Sequence, residues 1–393
     1  MKLSCCGFDL GHTNPVRMHI GSLVAASTIV LLQVGEESWA FVSSIASRKA
    51  EGNSKRKFKF SMSARRETCE VIVVGSCNVD LITYTPRLPS RGETITGTNF
   101  ETFHGGKGAN QAVMASRIGA STAMVGCLGE DSNGDSYIQS LAGDGVDCDS
   151  VRRDAGAPTG VAQICVEGAA EDGGGGGGGN FIVIVPGANY LLSPEHVAEA
   201  TDRLKGAKVI LCQSEVRPEA SLEALKRGRA AGMMTVFNPA PAQADLPDRF
   251  LELSDVVCPN ETELALLCKG DIDPADQKSV QAGARELIAR GAKNVVVTLG
   301  SKGCMLVSSA QAASDGCTLF STRDKVVATD TVGAGDAFLG SLGAYLARGL
   351  TLEAAVGKAV RVASITVTRA GAQPSYPLGS DLLPDLQLPL KTR

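Results

Sequence analysis

From Glu70 onward, short β-branched runs alternate with longer segments in which apolar residues recur every three or four positions. Val71-Ile72-Val73-Val74, Val209-Ile210-Leu211, Thr235-Val236-Phe237, Val256-Val257-Cys258 and Asn294 to Leu299 are compact apolar runs, the pattern of strands buried on both faces. Lys107 to Ile118, Ser221 to Ala231 and Val280 to Arg290 fit helices between them. The alternation predicts an α/β protein: a mostly parallel sheet covered on both sides, with ligands beyond the carboxyl ends of its strands. Glu93 to Phe103 and Gly160 to Val185 break the rhythm, alternating like antiparallel strands without helices, and predict a small sheet over the site. Inside the second, Gly173 to Gly179 is seven consecutive glycines, read as a flexible hairpin tip.

The first 68 residues follow a different pattern. Ile20 to Val34 is an apolar run of fifteen residues after Lys2 and Arg17, short for a membrane span and suited to a signal-peptide core, with Ser38-Trp39-Ala40 at a cleavage position. Phe41 to Arg66 holds eight Lys or Arg, one Glu and six Ser, a transit-peptide composition. Residues 1–68 therefore read as a largely disordered presequence, signal-like over 1–40 and transit-like over 41–68. Its two-part form resembles presequences directed to complex plastids; a secretory route or the cytoplasm are the alternatives. Residues 69–379 read as the folded domain, with lid segments at about 84–104 and 160–186, and 380–393 as a tail.

Composition narrows the function classes. A net charge of −4 argues against a nucleic-acid surface, and past the presequence nothing suggests a membrane. Twelve scattered cysteines without C-x-x-C spacing suggest neither a zinc site nor a disulfide framework. Neither the P-loop spacing nor G-x-G-x-x-G occurs where a nucleotide fold needs it; Lys107 is followed by Gly108, and Gly75 starts no dinucleotide fingerprint.

The chemistry centres on Asp330-Thr331-Val332-Gly333-Ala334-Gly335-Asp336, between Val326-Val327-Ala328, read as a strand, and a helical segment from Ala337 to about Leu346. Glycines at a helix start let an anion lie against free amides and the positive end of the helix. A carboxylate beside such a hole makes sense if it takes a proton from a hydroxyl attacking a phosphoryl group; a plain helix cap is the competing reading. Asn78-Val79-Asp80 can grip neighbouring hydroxyls or simply make a turn. His104-Gly105-Gly106-Lys107-Gly108-Ala109-Asn110 offers close backbone approach with two polar hands. Glu215 and Asn238-Pro239-Ala240-Pro241 stand at strand ends, and Asn260 and Glu263 share one helix face, able to hold hydrated Mg²⁺ and phosphate oxygens or only to cap the helix. Thr298-Leu299-Gly300-Ser301-Lys302-Gly303 is a glycine turn able to follow nucleotide phosphates, and the carbonyls of Arg369 to Ser375 can ring a monovalent cation with Asp330.

Taken in order, the motifs Asn-x-Asp, Gly-Gly-Lys-Gly-Ala-Asn-Gln-Ala, Asn-Pro-Ala-Pro, Pro-Asn-Glu-Thr-Glu, Thr-Leu-Gly-Ser-Lys-Gly, Asp-Thr-x-Gly-Ala-Gly-Asp and Gly-Ala-Gln-Pro-Ser resemble the PfkB carbohydrate kinase family. Gly105 to Gln111 and Gly371 to Ser375 resemble its ribokinase branch, and the likeness runs over about Val71 to Pro377. The resemblance implies a Rossmann-type three-layer sandwich with a β-sheet lid that also makes a homodimer, and phosphorylation of D-ribose at its 5-hydroxyl by ATP. It further implies Asn78, Asp80, Gly106, Lys107, Asn110 and Glu215 around the sugar. Asp336 would be the base, with the Ala334 and Gly335 amides in the anion hole and Gly333 beside them in the catalytic turn. Asn260, Thr298, Gly300, Ser301, Lys302, Gly303 and Gly335 would meet ATP, and Glu263 would approach Mg²⁺ through water. Asp330, Val332, Thr366, Arg369, Gly371 and Ser375 would hold an activating K⁺. Another sugar or nucleoside specificity, such as fructose or deoxyribose, and a non-catalytic plastid relative are the rival readings.

Overall fold

The computed structural model describes residues 27–33, 39–45, 69–167, 180–270, 272–312, 316–322 and 326–389. Two units are separate in it, Met1–Arg66 and Glu67–Arg393. In the first, Ser27–Gln33 pairs antiparallel with Trp39–Ile45, whose β-branched and aromatic residues favour strands. The rest of 1–68, read as a presequence, lies outside the described residues, as do the glycines from 173 to 179.

The second unit starts with β1 (Val71–Val74), β2 (Asn78–Thr85), β3 (Asn99–Gly105), helix α1 (Lys107–Arg117), β4 (Thr122–Gly129), α2 (Ser132–Gly143) and β5 (Asp147–Asp154). There follow β6 (Gly160–Glu167), β7 (Asn180–Val185), α3 (Pro194–Arg203), β8 (Val209–Gln213), α4 (Pro218–Ala230), β9 (Met234–Asn238) and β10 (Val256–Val257). The last part comprises α5 (Glu261–Leu267), α6 (Gln277–Ala289), β11 (Asn294–Thr298), β12 (Cys304–Ser308), β13 (Thr318–Phe320), α7 (Ala334–Ala347) and α8 (Leu352–Thr366).

The main sheet has the order β13-β12-β11-β10-β9-β8-β1-β4-β5, all running one way except β12, which is antiparallel to both its neighbours. Alternate residues of β1 serve opposite faces. Val71 and Val73 join the core under α1, α7 and α8, while Ile72 and Val74 join the one under α3, α4 and α6. This is the three-layer α/β sandwich that the apolar runs predict. The chain leaves β1 towards β4 on one side and returns to β8 on the other, so the strand order reverses between β1 and β8. Ligands of open α/β sheets bind at such a reversal.

The small sheet has the order β3-β2-β6-β7. It begins at Asn78, earlier than the alternation marked, and β2 pairs parallel with β6, so it is not wholly antiparallel. Asn78 to Asp80 are therefore strand residues, not a turn. Only Asn99–Gly105 of the stretch after Glu93 is a strand, because the Glu93 carboxylate accepts from Arg87 and from the Ser90 amide and holds a local turn.

One further expectation is corrected. Val326 to Ala328 forms no strand: Val327 is 88% exposed, and the Thr329 and Asp330 amides both turn to the Val367 carbonyl instead of a sheet neighbour. The stretch after residue 379, read as a tail, packs against the core as far as residue 389. Leu382 and Leu386 are buried in the core, the Tyr345 hydroxyl donates to the Leu386 carbonyl, and Arg361 pairs with Asp385.

Candidate active site

The turn before α7 needs its glycine. Gly333 has φ 76°, and a Cβ there would lie 2.7 Å from the Ala372 Cβ and 2.8 Å from the Tyr376 hydroxyl. The Ala334 amide reaches back to the Thr331 carbonyl at 3.3 Å, and the ladder resumes with Ala337 to Gly333 at 2.8 Å. Between them the Gly335 and Asp336 amides take no carbonyl among the described residues, and a Cβ on Gly335 would meet nothing within 4 Å. Of the two amides expected in the anion hole, Gly335's is the open one here.

Asp336 is 8% exposed, and it does not cap its own helix. Its Oδ2 accepts from Asn110 Nδ2 and its Oδ1 from Gln111 Nε2, both at 3.0 Å. Helix α1 comes this close because Gly340 of α7 faces it; a Cβ there would stand 2.5 Å from the Gln111 carbonyl oxygen. The cap reading of Asp336 fails on this geometry.

Around the start of α1 the polar residues of the small sheet and of β8 converge. Gly106 has φ 86°, and its missing Cβ leaves room for the Asn78 amide, 2.7 Å away. The Asp80 carboxylate lies across Gly105, where a Cβ would be 2.1 Å from Oδ2. Glu215 Oε2 accepts from the Lys107 amide at 2.9 Å and from Ser76 Oγ at 2.5 Å, which joins β8 to β1 at the strand reversal. Asn78 Oδ1 accepts from Asn189 Nδ2 at 2.7 Å, while Asn189 Oδ1 accepts the Cys77 amide at 2.8 Å.

One ammonium serves a crowd of acids. Burial pulls the Lys107 ammonium down, but Asp336, Glu215, Glu263 and Asp80 outweigh it and the net shift is up. Burial, then the charges of Glu215 and Asp336, push Asp80 up to about 7, with Lys107 opposing. Folding thus raises the pKa of Asp80 from 3.8, so its contribution favours the fold below that value and is lost as pH rises through about 7. Asp80→Asn is therefore expected to raise the melting temperature more at about pH 8 than at about pH 5. Equal shifts in thermal scans at both pH values would contradict that electrostatic account.

On the other side of the pocket Asn260 caps α5. Its Oδ1 accepts the Glu263 amide at 2.7 Å, and Glu263 Oε2 accepts the Asn260 amide at 2.8 Å. Both residues are thus cap residues in this structure, yet Glu263 also belongs to the pocket. Burial raises its pKa, the Asn260 amide and Lys107 oppose, and Asp336 adds to the rise. Thr298 bridges to Asn260, and Gly300–Lys302 follows as one exposed turn with Ser301 and Lys302 at its surface. Gly303 closes that turn at φ 92°. Among the described residues no three acidic, His or Cys side chains gather into a metal cage. The Glu263 carboxylate would suit a divalent ion held through water and substrate phosphates, the mode Mg²⁺ favours.

The carboxylate of Asp330 ties the last loop to the α7 turn: Oδ1 accepts the Val332 amide at 3.0 Å and Oδ2 the Gly371 amide at 2.8 Å. The Arg369 amide donates to the Thr366 carbonyl and Ser375 Oγ to the Ala372 carbonyl. Tyr376 then donates to the Gly333 carbonyl at 3.0 Å. Gln111, Asn189, Gln213, Gln373 and Tyr376 are contributors that the motifs left without roles.

Comparison with known proteins identifies a family for this fold. Residues 69–378 match the family described as pfkB family carbohydrate kinase. A ribokinase of Mus musculus is 41% identical over 318 residues, covering 80% of this chain and 94% of its own. A deoxyribokinase of Salmonella typhi is 37% identical over 308 residues, covering 78% and 95%. Among solved structures, the Arabidopsis thaliana ribokinase complexed with ribose and ATP superposes with a TM-score of 0.71 at 30% identity, covering 82% of this chain and all of that one. The family match spans the whole of the sandwich and its small sheet, and on it the chain belongs to the pfkB family of carbohydrate kinases.

Proposed function

We propose that the chain transfers the γ-phosphoryl group of ATP to the 5-hydroxyl of D-ribose. The observation that carries this reading is the Asp336 carboxylate, aimed by two side-chain amides at the mouth of α7 beside the open Gly335 amide. Asn78, Asp80, Gly106, Lys107, Asn110 and Glu215 hold the sugar. Asp336 takes the proton of the attacking hydroxyl, a step that comes late in a loose transition state and asks for position more than basicity. The Gly335 amide and the start of α7 receive charge building on the phosphoryl oxygens, with Ala334 beside it. Asn260 and the Thr298 to Gly303 turn flank the nucleotide. Glu263 would hold Mg²⁺ through water, and the ion would supply neutralisation of phosphate charge.

The similarity to a deoxyribokinase favours a second reading in which the 2-hydroxyl is dispensable. Steady-state kinetics with ribose, 2-deoxyribose, fructose and a nucleoside separate the two. Ribose is expected to lead in kcat/KM by about tenfold or more, as a site built to bond a hydroxyl discriminates against its absence. A lead for 2-deoxyribose would replace the proposed substrate, and a panel with no turnover would favour the non-catalytic reading. Run with and without K⁺, the same panel tests activation through Asp330, Val332, Thr366, Arg369, Gly371 and Ser375; equal rates would dismiss that loop as a cation site.

Two proposals concern assembly and address. The edge strand β7 leaves Phe181, Ile182, Val183, Ile184 and Val185 between 43% and 59% exposed, which supports a homodimer formed through the small sheet. Sedimentation of Val183→Glu should give a monomer if that edge is the interface. A plastid destination rests on the composition of residues 1–68 and is tested by the location of a fluorescent fusion to them.

A further inference from the structure

Each amide that reaches the Asp336 carboxylate is itself held by a second amide. Gln213 Nε2 donates to Gln111 Oε1 at 2.6 Å, and Gln111 Nε2 donates to Asp336 Oδ1 at 3.0 Å. On the other arm Gln373 Nε2 donates to Asn110 Oδ1 at 3.0 Å, and Asn110 Nδ2 donates to Asp336 Oδ2 at 3.0 Å. The four amides come from three parts of the chain: α1, the end of β8, and the loop after α8. All four are buried, Gln111 and Gln213 completely.

The direction of both arms follows from the carboxylate. Ionised Asp only accepts, so Gln111 and Asn110 must present their NH₂ groups to it and their oxygens outward. Those oxygens then require donors, which Gln213 and Gln373 supply. The structure shows what this orientation costs on the first arm. Gln213 Oε1 is buried with no partner, pressed over Gly75, where a Cβ would sit only 2.0 Å from it. Turning that amide over would set its oxygen against Gln111 Oε1. Turning Gln111 as well would set an oxygen against Asp336.

We propose that Gln213 and Gln373 are positioning residues for phosphoryl transfer, each locking the amide that aims the Asp336 carboxylate. The inference rests on Asp336 being the base, as proposed above. The arms differ in one respect. Gln111 and Gln213 have no exposed surface to offer a substrate, whereas Asn110 is also assigned to the sugar. Loss of the Gln213 arm therefore acts on turnover alone, and loss of the Gln373 arm acts on turnover and sugar binding together.

The test is a set of methionine variants, similar in volume but without the amide, in the full-length protein. Gln213→Met and Gln111→Met are each expected to lower kcat about tenfold with ribose and ATP KM within about twofold. The double variant should be no slower than Gln111→Met, because one chain has been cut twice. Gln373→Met should lower kcat and raise the ribose KM. In the Asp336→Asn background Gln213→Met should cost nothing more. Full kcat in Gln213→Met, or additive losses in the double variant, would overturn the proposal. So would losses that merely follow a falling melting temperature. If Gln213→Met fails to fold, Gln373→Met decides, since unchanged kcat there refutes the paired arrangement. Full activity of Asp336→Asn would instead refute the base itself, which keeps the two failures apart.

Discussion

Asp336→Asn should bind D-ribose within about threefold of the parent protein and turn over at least about 100-fold more slowly. The first expectation follows from where the proposed sugar contacts lie: Asn78, Asp80, Lys107 and Glu215 all sit outside α7. The second follows from the loss of the carboxylate proposed to take the hydroxyl proton at the mouth of the helix. The substitution is nearly isosteric, so packing around Gly340 and Gln111 stays intact. An NH₂ group would now face the NH₂ groups of Asn110 or Gln111, so one of the two bonds is lost as well. A hundredfold loss corresponds to about 2.7 kcal/mol of barrier, a normal value for a positioned base. Steady-state kcat and KM, with ribose binding by calorimetry, make the comparison; turnover at the parent rate would remove Asp336 from the chemistry.

Gly333→Ala is expected to be at least as damaging, for steric reasons. Its φ of 76° costs any other residue about 1 kcal/mol. The new methyl also has nowhere to go, with Ala372 Cβ at 2.7 Å and the Tyr376 hydroxyl at 2.8 Å. Relief requires either the loop from Gly371 to Tyr376 or the first turn of α7 to move. Both form the site: the loop carries Gln373, and the turn carries the open Gly335 amide. A fall in kcat/KM of about 100-fold or more is expected, with a stability loss of roughly 1–3 kcal/mol typical of overpacking. Kinetics and a urea titration read the two effects separately. A well-folded, fully active Gly333→Ala would show that the turn accepts another geometry.

Much of this site is legible along the chain because its chemistry is local there. Two glycines and an aspartate at a helix start mark Gly333 to Asp336, and three glycines with a lysine mark Gly105 to Asn110. The five apolar runs read as strands for a similar reason: a doubly covered parallel sheet buries both faces, so no polar position interrupts them. What escaped is non-local. Gln111 lies inside the glycine–lysine motif but acquires meaning only from a carboxylate 225 positions away, and Asn189 from a backbone amide 112 positions away. Gln213 stands at the end of a strand, two residues before Glu215, and no periodicity distinguishes the two. Val326 to Ala328 misled because β-branched residues favour a strand only where a neighbouring strand accepts their main chain.

Strand β2 has a consequence for how a substrate would be gripped. It leaves β1 after only three residues and carries Asn78 and Asp80 out of the central sheet into the smaller one. On the proposed assignment, the hands that hold the sugar and the acceptor of its proton belong to different sheets and helices, and the sugar is the rivet between them. Pentose occupancy should then be felt far from the catalytic carboxylate, as slower amide exchange along Asn78–Thr85 and its partner Gly160–Glu167.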